Sequence, residues 1–304
     1  MERYKIRYIA RLVVEAKTPL AVGSGEKSIE TDARVIKDVN GLPYIPATAI
    51  AGILRHALGE RGEGGHKELW GYQKKGASKD GVGSRISFTN ANMLDENGNV
   101  VDEFSDKDVF GGIYDALPIR QHAKIGHRGA TVKTGKFDEE VVFKGTRFCF
   151  ELEMVDSEVN ENNAKYFMKI LEEFYSDTLR VGGGTRSGFG ELEVVSCKYR
   201  NINLENSGDL DDYLKKSSSL VKDDFWKKAT ILSLSSDSTT FLKDELNVKP
   251  HDFFLFGSGF GDDDADMTPV LETYVDWTKN DKGELKENAV LIPASSVKGA
   301  IAHR

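Results

Sequence analysis

LAVGSGEKSIETDARVIKDVNGLPYIPATAIAGILRHAL, residues 20–58, is the stretch on which the reading of this chain turns. It reads as a strand end, a Gly23-Ser24-Gly25 turn, a polar loop carrying one candidate acid, Asp32, then a short extended piece and a helix. Gly41 and Pro43 break what precedes, and Tyr44 and Ile45 are extended. Pro46 suits a first-turn or pre-helical position, because its missing N–H is not needed there. Beyond it Ile50, Ile53, Leu54, Ala57 and Leu58 recur at helical spacing and form an apolar stripe. Gly52 lies among them at a cost of about 1 kcal/mol against Ala, so another backbone is expected to come close there.

The same stretch returns near the C-terminus. Tyr44-Ile45-Pro46-Ala47 lines up with Leu291-Ile292-Pro293-Ala294, and Gly52 with Gly299; upstream, Gly23-Ser24-Gly25 is echoed by Gly257-Ser258-Gly259. Two features in the same order, with a longer loop between them the second time, indicate a duplicated module. The second copy stops inside its first helix. The expectation is therefore a fragment, or a chain whose second module something else completes.

Working outward, residues 4–16 alternate apolar and polar like a half-buried strand. Residues 59–84 read as a Gly/Lys-rich loop anchored by Leu69-Trp70, and residues 85–94 as a second strand. Residues 118–142 carry Gly129 and Gly135 between polar segments and read as a protruding β-hairpin. Residues 146–155 alternate as a strand, and Asn160 opens a helix with Phe167, Ile170, Leu171 and Phe174 on one face. The run of residues 180–190 then places five glycines in nine residues around Arg186, ahead of a last strand over 191–199. The order is β-α-β-β-α-β, a ferredoxin-like α+β pattern with insertions. Residues 201–224 are polar with a Ser run and read as a linker. The expected organisation is a module over 1–204, a linker over 205–225 and an incomplete second module over 226–304.

Composition bounds the chemistry. The net charge is −8, yet residues 118–147 hold seven Lys/Arg against three acids, Asp138, Glu139 and Glu140. That local excess suits a phosphate backbone, or equally a solvated hairpin. The glycine run frees backbone N–H groups to face an anion. It is not a Walker loop, which needs Gly-Lys-Ser/Thr leading into a helix, nor a dinucleotide fingerprint, which needs a strand before and a helix after. No Cys/His spacing suits zinc. Cys149 and Cys197 sit in strand-like runs as small buried hydrophobes, consistent with a reducing cytoplasm. No run approaches the roughly 18 apolar residues of a membrane span, so no membrane partner is expected.

Together the Gly-Ser-Gly turn, Asp32, the YIPATAIAGILR helix, the basic hairpin leading to FDEEVVFKGTRF and the GGGTRSGFG loop resemble the RAMP superfamily of CRISPR systems. The nearest likeness is to the repeating backbone subunit of type III effectors, over residues 5–200 and again from 226, as in a fused multi-module effector. The resemblance implies a ferredoxin-like (RRM-like) core that binds guide RNA across its backbone. It implies a thumb hairpin (residues 120–136) that interrupts guide–target pairing, and a first-loop aspartate that cuts target RNA with a divalent cation, Mg2+ being the expected one. The expected partners are guide CRISPR RNA, target RNA and other RAMP modules or effector subunits.

By motif position the catalytic and metal-holding acid is Asp32, with Asp266 as its candidate counterpart. Counting back from Val270 puts Met267 where Asp32 stands before Val35, which leaves Asp266 open. RNA contacts fall on Thr48, Arg55, Arg120, Lys124, Arg128, Lys133, Gly183, Gly184, Thr185, Arg186, Ser187 and Lys298. The family often has Ser-Ser-Leu-Lys-Gly where this chain has Thr48 to Gly52, so the first module lacks that lysine while the second keeps it as Lys298. The alternatives are a purely architectural RNA-binding subunit, and a guide-processing endonuclease using His56, His122 or His127 as base.

Overall fold

The computed structural model describes residues 4–26, 31–59, 66–73, 81–102, 108–126, 131–234, 247, 249–258, 261–279 and 281–302. Strand β1 (Ile6–Ala16) is followed by helix α1 (Ala47–Ala57), strand β2 (Ile86–Phe88), a hairpin of β3 (Ile119–Ile125) and β4 (Thr131–Glu140), strand β5 (Arg147–Asp156), helix α2 (Glu161–Glu173) and strand β6 (Leu192–Asn203). The sheet runs β6-β1-β5-β2 with all neighbours antiparallel. In terms of the core strands that is the order fourth-first-third-second of a ferredoxin-like fold. β3 and β4 pair only with each other as a separate ribbon inserted ahead of β5.

Helices α1 and α2 are where their sequence signals put them. Pro46 precedes α1, whose first amide, at Ala47, is capped from a distance by the Asn90 side chain at 2.9 Å. Asn160 caps α2 by accepting from the amides of Asn162 and Asn163. Ile50 and Leu54 of α1, and Phe167, Ile170 and Leu171 of α2, bury against Tyr8, Ala10, Leu12 and Val14 of β1. Leu69 and Trp70 are the buried anchor expected of their loop; the Trp70 indole N–H donates to the Tyr166 hydroxyl at 2.7 Å.

Three expectations are corrected. Gly52 is exposed, and a Cβ there would meet nothing within 4 Å, so the glycine makes room for no neighbouring backbone. The second strand is split into β2 and a short Asn92–Met93 piece, because between them Ala91 turns aside to exchange backbone hydrogen bonds with Ile45.

The third correction concerns the expected linker. β6 runs on to Asn203, and Ser207–Lys215 is a helix, α3, capped by Asn206. Trp226, just past it, is buried against Ile9 and Ile202 on the sheet face opposite α1 and α2. Glu151 on the same face accepts from Arg11 at 2.9 Å and from the Trp226 indole at 3.0 Å, and pairs with Lys216. Polarity over residues 201–224 thus marks one solvent-facing side of a packed cap. With that cap in place β1 is covered on both faces, and an RRM-style stacking of bases across the open sheet has no room over Ile9 and Arg11.

Past the cap, Thr230–Ile231 adds a short strand to the edge of β6. A second ribbon follows, β7 (Leu271–Lys279) with β8 (Lys282–Val290), and then helix α4 (Ala294–Ala302). This ribbon reaches back into the first unit. The Val275 amide donates to the Lys144 carbonyl at 2.9 Å, and the Trp277 indole donates to the Gly145 carbonyl at 2.7 Å. Gly145 has φ +83°, and a Cβ there would lie 1.9 Å from the Val275 carbonyl oxygen, so no other residue fits this joint.

Candidate nucleic-acid interface

Asp32 lies on a loop folded back on itself. Ser24 donates to the Arg34 carbonyl at 2.9 Å and Ile36 to the Val22 carbonyl at 2.8 Å, around a Gly23–Val35 bridge. The far side of this loop meets β4 at one parallel bridge: Ala33 bridges Glu139, and the Glu140 amide donates to the Ala33 carbonyl at 2.9 Å. The side chains reinforce the seam. The Asp138 carboxylate accepts from the Asp32 amide at 2.9 Å, and the Glu140 carboxylate accepts from the Val35 amide at 3.0 Å. Asp32 itself is exposed.

The glycine loop closes the same region from behind. Gly183 donates to the Ala21 carbonyl at 2.7 Å and Gly190 to the Pro19 carbonyl at 3.0 Å. Gly182 has φ +86°, and a Cβ there would stand 2.5 Å from the Ala21 oxygen. The glycines are thus needed to let two loops touch, and part of the expected anion cradle is consumed by it. The amides of Gly183, Ser187, Gly188, Phe189 and Gly190 all serve backbone acceptors, while none of the backbone hydrogen bonds among the described residues uses those of Gly184, Thr185 or Arg186. The Arg186 side chain is exposed.

Aromatic rings tie the hairpin to this loop. Phe137 stacks on His122 across the ribbon, with centroids 4.8 Å apart and planes at 14°, and Phe189 meets His122 edge-on. Phe137 remains 48 % exposed. Glu139 lies 3.0 Å from the His122 Nε2. The sequence offered His122 only as one alternative base, and Asp138 and Glu139 only as acids offsetting a basic stretch.

The expected RNA-contact residues divide. Lys133 and Thr48 are exposed. Arg120 is turned the other way: it donates to the Leu271 carbonyl and the Glu272 carboxylate, each at 3.2 Å, and burial pulls its pKa below the usual guanidinium value. Arg55 donates to the Gly71 carbonyl at 2.9 Å. Lys298 donates to the Arg186 carbonyl at 3.0 Å, and Ala294 of α4 lies against Gly188. The second module's helix therefore abuts the first module's glycine loop. Lys124 lies on β3, while Arg128 and His127 fall outside the described residues. His56 is exposed at the end of α1.

The second copy repeats the loop geometry bond for bond. Ser258 donates to the Thr268 carbonyl and Val270 to the Phe256 carbonyl, both at 2.8 Å, around a Gly257–Pro269 bridge. These match the bonds from Ser24 and Ile36, so Val270 corresponds to Ile36, not to Val35. Asp266 then stands at the position of Asp32, and the count that put Met267 there is corrected by one residue. Asp262 caps its own turn, accepting from the amides of Asp264 and Ala265. Among the described residues no three His, Cys, Asp or Glu side chains are grouped to hold a metal ion, and no helix is long and apolar enough to cross a membrane.

A family model for the RAMP superfamily matches residues 13–193, which hold helices α1 and α2, the strands β2 and β5, the hairpin and both loops. The chain belongs to the RAMP superfamily. No curated protein matches its sequence significantly. In structure this RAMP chain is similar to a chain from the apo-state cryo-EM structure of type III-B Cmr-beta, with TM-score 0.45 and 16 % identity, covering 62 % of this chain and 97 % of that one.

Proposed function

We propose that this RAMP chain is a backbone subunit of a CRISPR type III effector, binding guide RNA and cutting the paired target RNA beside Asp32. The observation that carries the reading is convergence. An exposed carboxylate, a protruding basic ribbon with an exposed ring, and a glycine loop with three amides in no backbone hydrogen bond among the described residues meet at one end of the sheet, while the opposite sheet face is capped. Lys133 and Arg186 supply positive charge for the phosphate backbone. The Phe137 ring offers a face for an unpaired base, and stacking of this kind tolerates any sequence.

Asp32 alone is too few donors for a dedicated metal cage. It suits a hard cation that takes a single carboxylate and completes its shell with substrate phosphate and water. Such an ion, Mg2+ by expectation, would be held by Asp32 and would neutralise charge building at the reacting phosphate. The chain's own contribution is to hold the Asp32 carboxylate still beside a backbone bent by the ribbon. The test is an effector assembled with guide RNA and challenged with labelled target. Asp32→Ala is expected to keep target affinity and lose one cut; a cut retained at its original position and rate overturns the assignment.

A second reading is a non-cleaving architectural subunit, in which the carboxylates of Asp138 and Glu140 serve only to hold the Asp32 loop against the ribbon. It predicts tight guide-dependent target binding with no product from the wild type at any divalent cation concentration.

A further inference from the structure

The acid loop and the ribbon are joined at one residue pair in both directions. The Asp32 amide donates to the Asp138 Oδ1 at 2.9 Å, and the Asp138 amide donates to the Asp32 Oδ2 at 3.4 Å. Backbone and side chain of Asp32 are thus both pinned to one position of β4. Its Oδ1 takes part in no hydrogen bond among the described residues, and the residue is exposed. An exposed aspartate on an unpinned loop samples several rotamers. Two attachments to a paired strand select among them, and the parallel seam through Ala33 and Glu139 fixes the height of the loop along the ribbon.

We propose that Asp138 is the positioning residue for the Asp32 carboxylate, so that the ribbon which engages RNA also sets the aim of the acid. The proposal rests on the reading of Asp32 as the cleaving acid. Asp138 acts through Asp32: its Oδ1 is occupied by the Asp32 amide, and the contact needs an acceptor there but no charge. Misplacement of a reacting group by about 1 Å costs up to roughly a hundredfold in rate, which sets the scale for losing the pin.

The experiment compares Asp138→Ala, Asp138→Asn and Asp32→Ala in the full chain. Two quantities are read: single-turnover target cleavage in the guide-loaded effector, and the hydrogen-exchange rate of the Asp32 amide by NMR. Asp138→Ala is expected to slow cleavage by about 10- to 100-fold at unchanged target affinity and to speed exchange of the Asp32 amide by about tenfold or more, as expected for a lost hydrogen bond. Asp138→Asn keeps the acceptor oxygen and is expected to restore both to within about threefold.

An Asp32 amide that exchanges equally in wild type and Asp138→Ala overturns the proposal. So does an Asp138→Asn variant as slow in cleavage as Asp138→Ala with its Asp32 amide still protected, because then the charge of Asp138 acts directly. Should Asp32→Ala itself cleave normally, the cleavage reading fails, and the amide exchange alone decides whether Asp138 holds Asp32. A melting curve for each variant separates loss of the pin from loss of the fold.

Discussion

The chain contains the same local structure twice, in two different settings. Residues 20–58 and residues 254–302 share the glycine turn, the loop hydrogen bonds, an aspartate three residues before the bridge partner, and an Ile-Pro-Ala entry into a helix. In both helices the proline carbonyl accepts from the amides two and three positions after the alanine-bearing start, Ala49 and Ile50 in one, Ser296 and Val297 in the other. What differs is burial. Ile50 and Leu54 are 2 % and 0 % exposed, while their counterparts Val297 and Ile301 are 44 % and 75 % exposed.

The intervening hairpin differs too. It starts from equivalent pairs, Lys37–Pro43 and Leu271–Val290, but in the second copy it grows into β7 and β8 and drives Val275 and Trp277 into the first unit. The two copies share the backbone hydrogen bonds of the motif and differ in how far the apolar side chains of the helix are buried.

The comparison breaks most sharply at the two aspartates. Asp32→Ala and Asp266→Ala should each remove a separate cut from one bound target, with a rate loss at that cut of about a thousandfold, the scale of several kcal/mol in transition-state stabilisation. Mapping products by length decides it. Loss of the same cut by both variants would make the two loops one site, and loss by Asp32→Ala alone would confine the chemistry to the pinned copy.

The joint between the copies is the next target. Trp277→Ala should destabilise the chain by about 3–5 kcal/mol, as expected for emptying a packed aromatic site, measured by chemical denaturation. Transferring the comparison to the helices, Leu54→Ala should cost about 2–5 kcal/mol and Ile301→Ala within about 0.5 kcal/mol of nothing. Equal costs would mean that α4 is covered in solution.

A subtler difference separates Arg186 from Arg120. Neutralising exposed Arg186 should lower the slope of log affinity for RNA against log salt by about 0.7–0.9 unit per phosphate contact. Arg120→Ala, already engaged by Glu272, should leave that slope as it is and lower the melting temperature. The smallest effect expected is at the thiols. Burial pushes Cys149 and Cys197 up to about 12, so neither should react measurably with a thiol reagent at pH 8 until the chain unfolds.

Much of the fold could be read from residues 4–203 because each element carries its own signal. Pro46 and Asn160 mark helix starts, alternation marks β1 and β5, and glycine pairs mark the ribbon. Asp32 was legible as a lone acid in a motif, but Asp138 was not. Its role depends on a loop 106 residues away in sequence lying in parallel register beside it, and nothing local encodes that pairing. The misplacement of Asp266 by one residue has a similar source. Counting along a loop of unequal content gives no register, whereas paired backbone hydrogen bonds do.

The sequence alone determined the repeat, the helix entries, the ribbon and the ferredoxin-like order, since propensity, capping and periodicity act over a few residues. Tertiary structure alone decided which faces are covered and which charges are free. Residues 201–224 looked like a solvated linker, and only packing against Ile9 and Arg11 shows that this segment belongs to the cap that closes one face of the sheet. Arg120 and Arg186 are both arginines beside polar neighbours; one finds Glu272 across a unit joint and the other does not. Burial and pairing belong to surfaces brought together from distant segments, and so lie beyond any local reading of the chain.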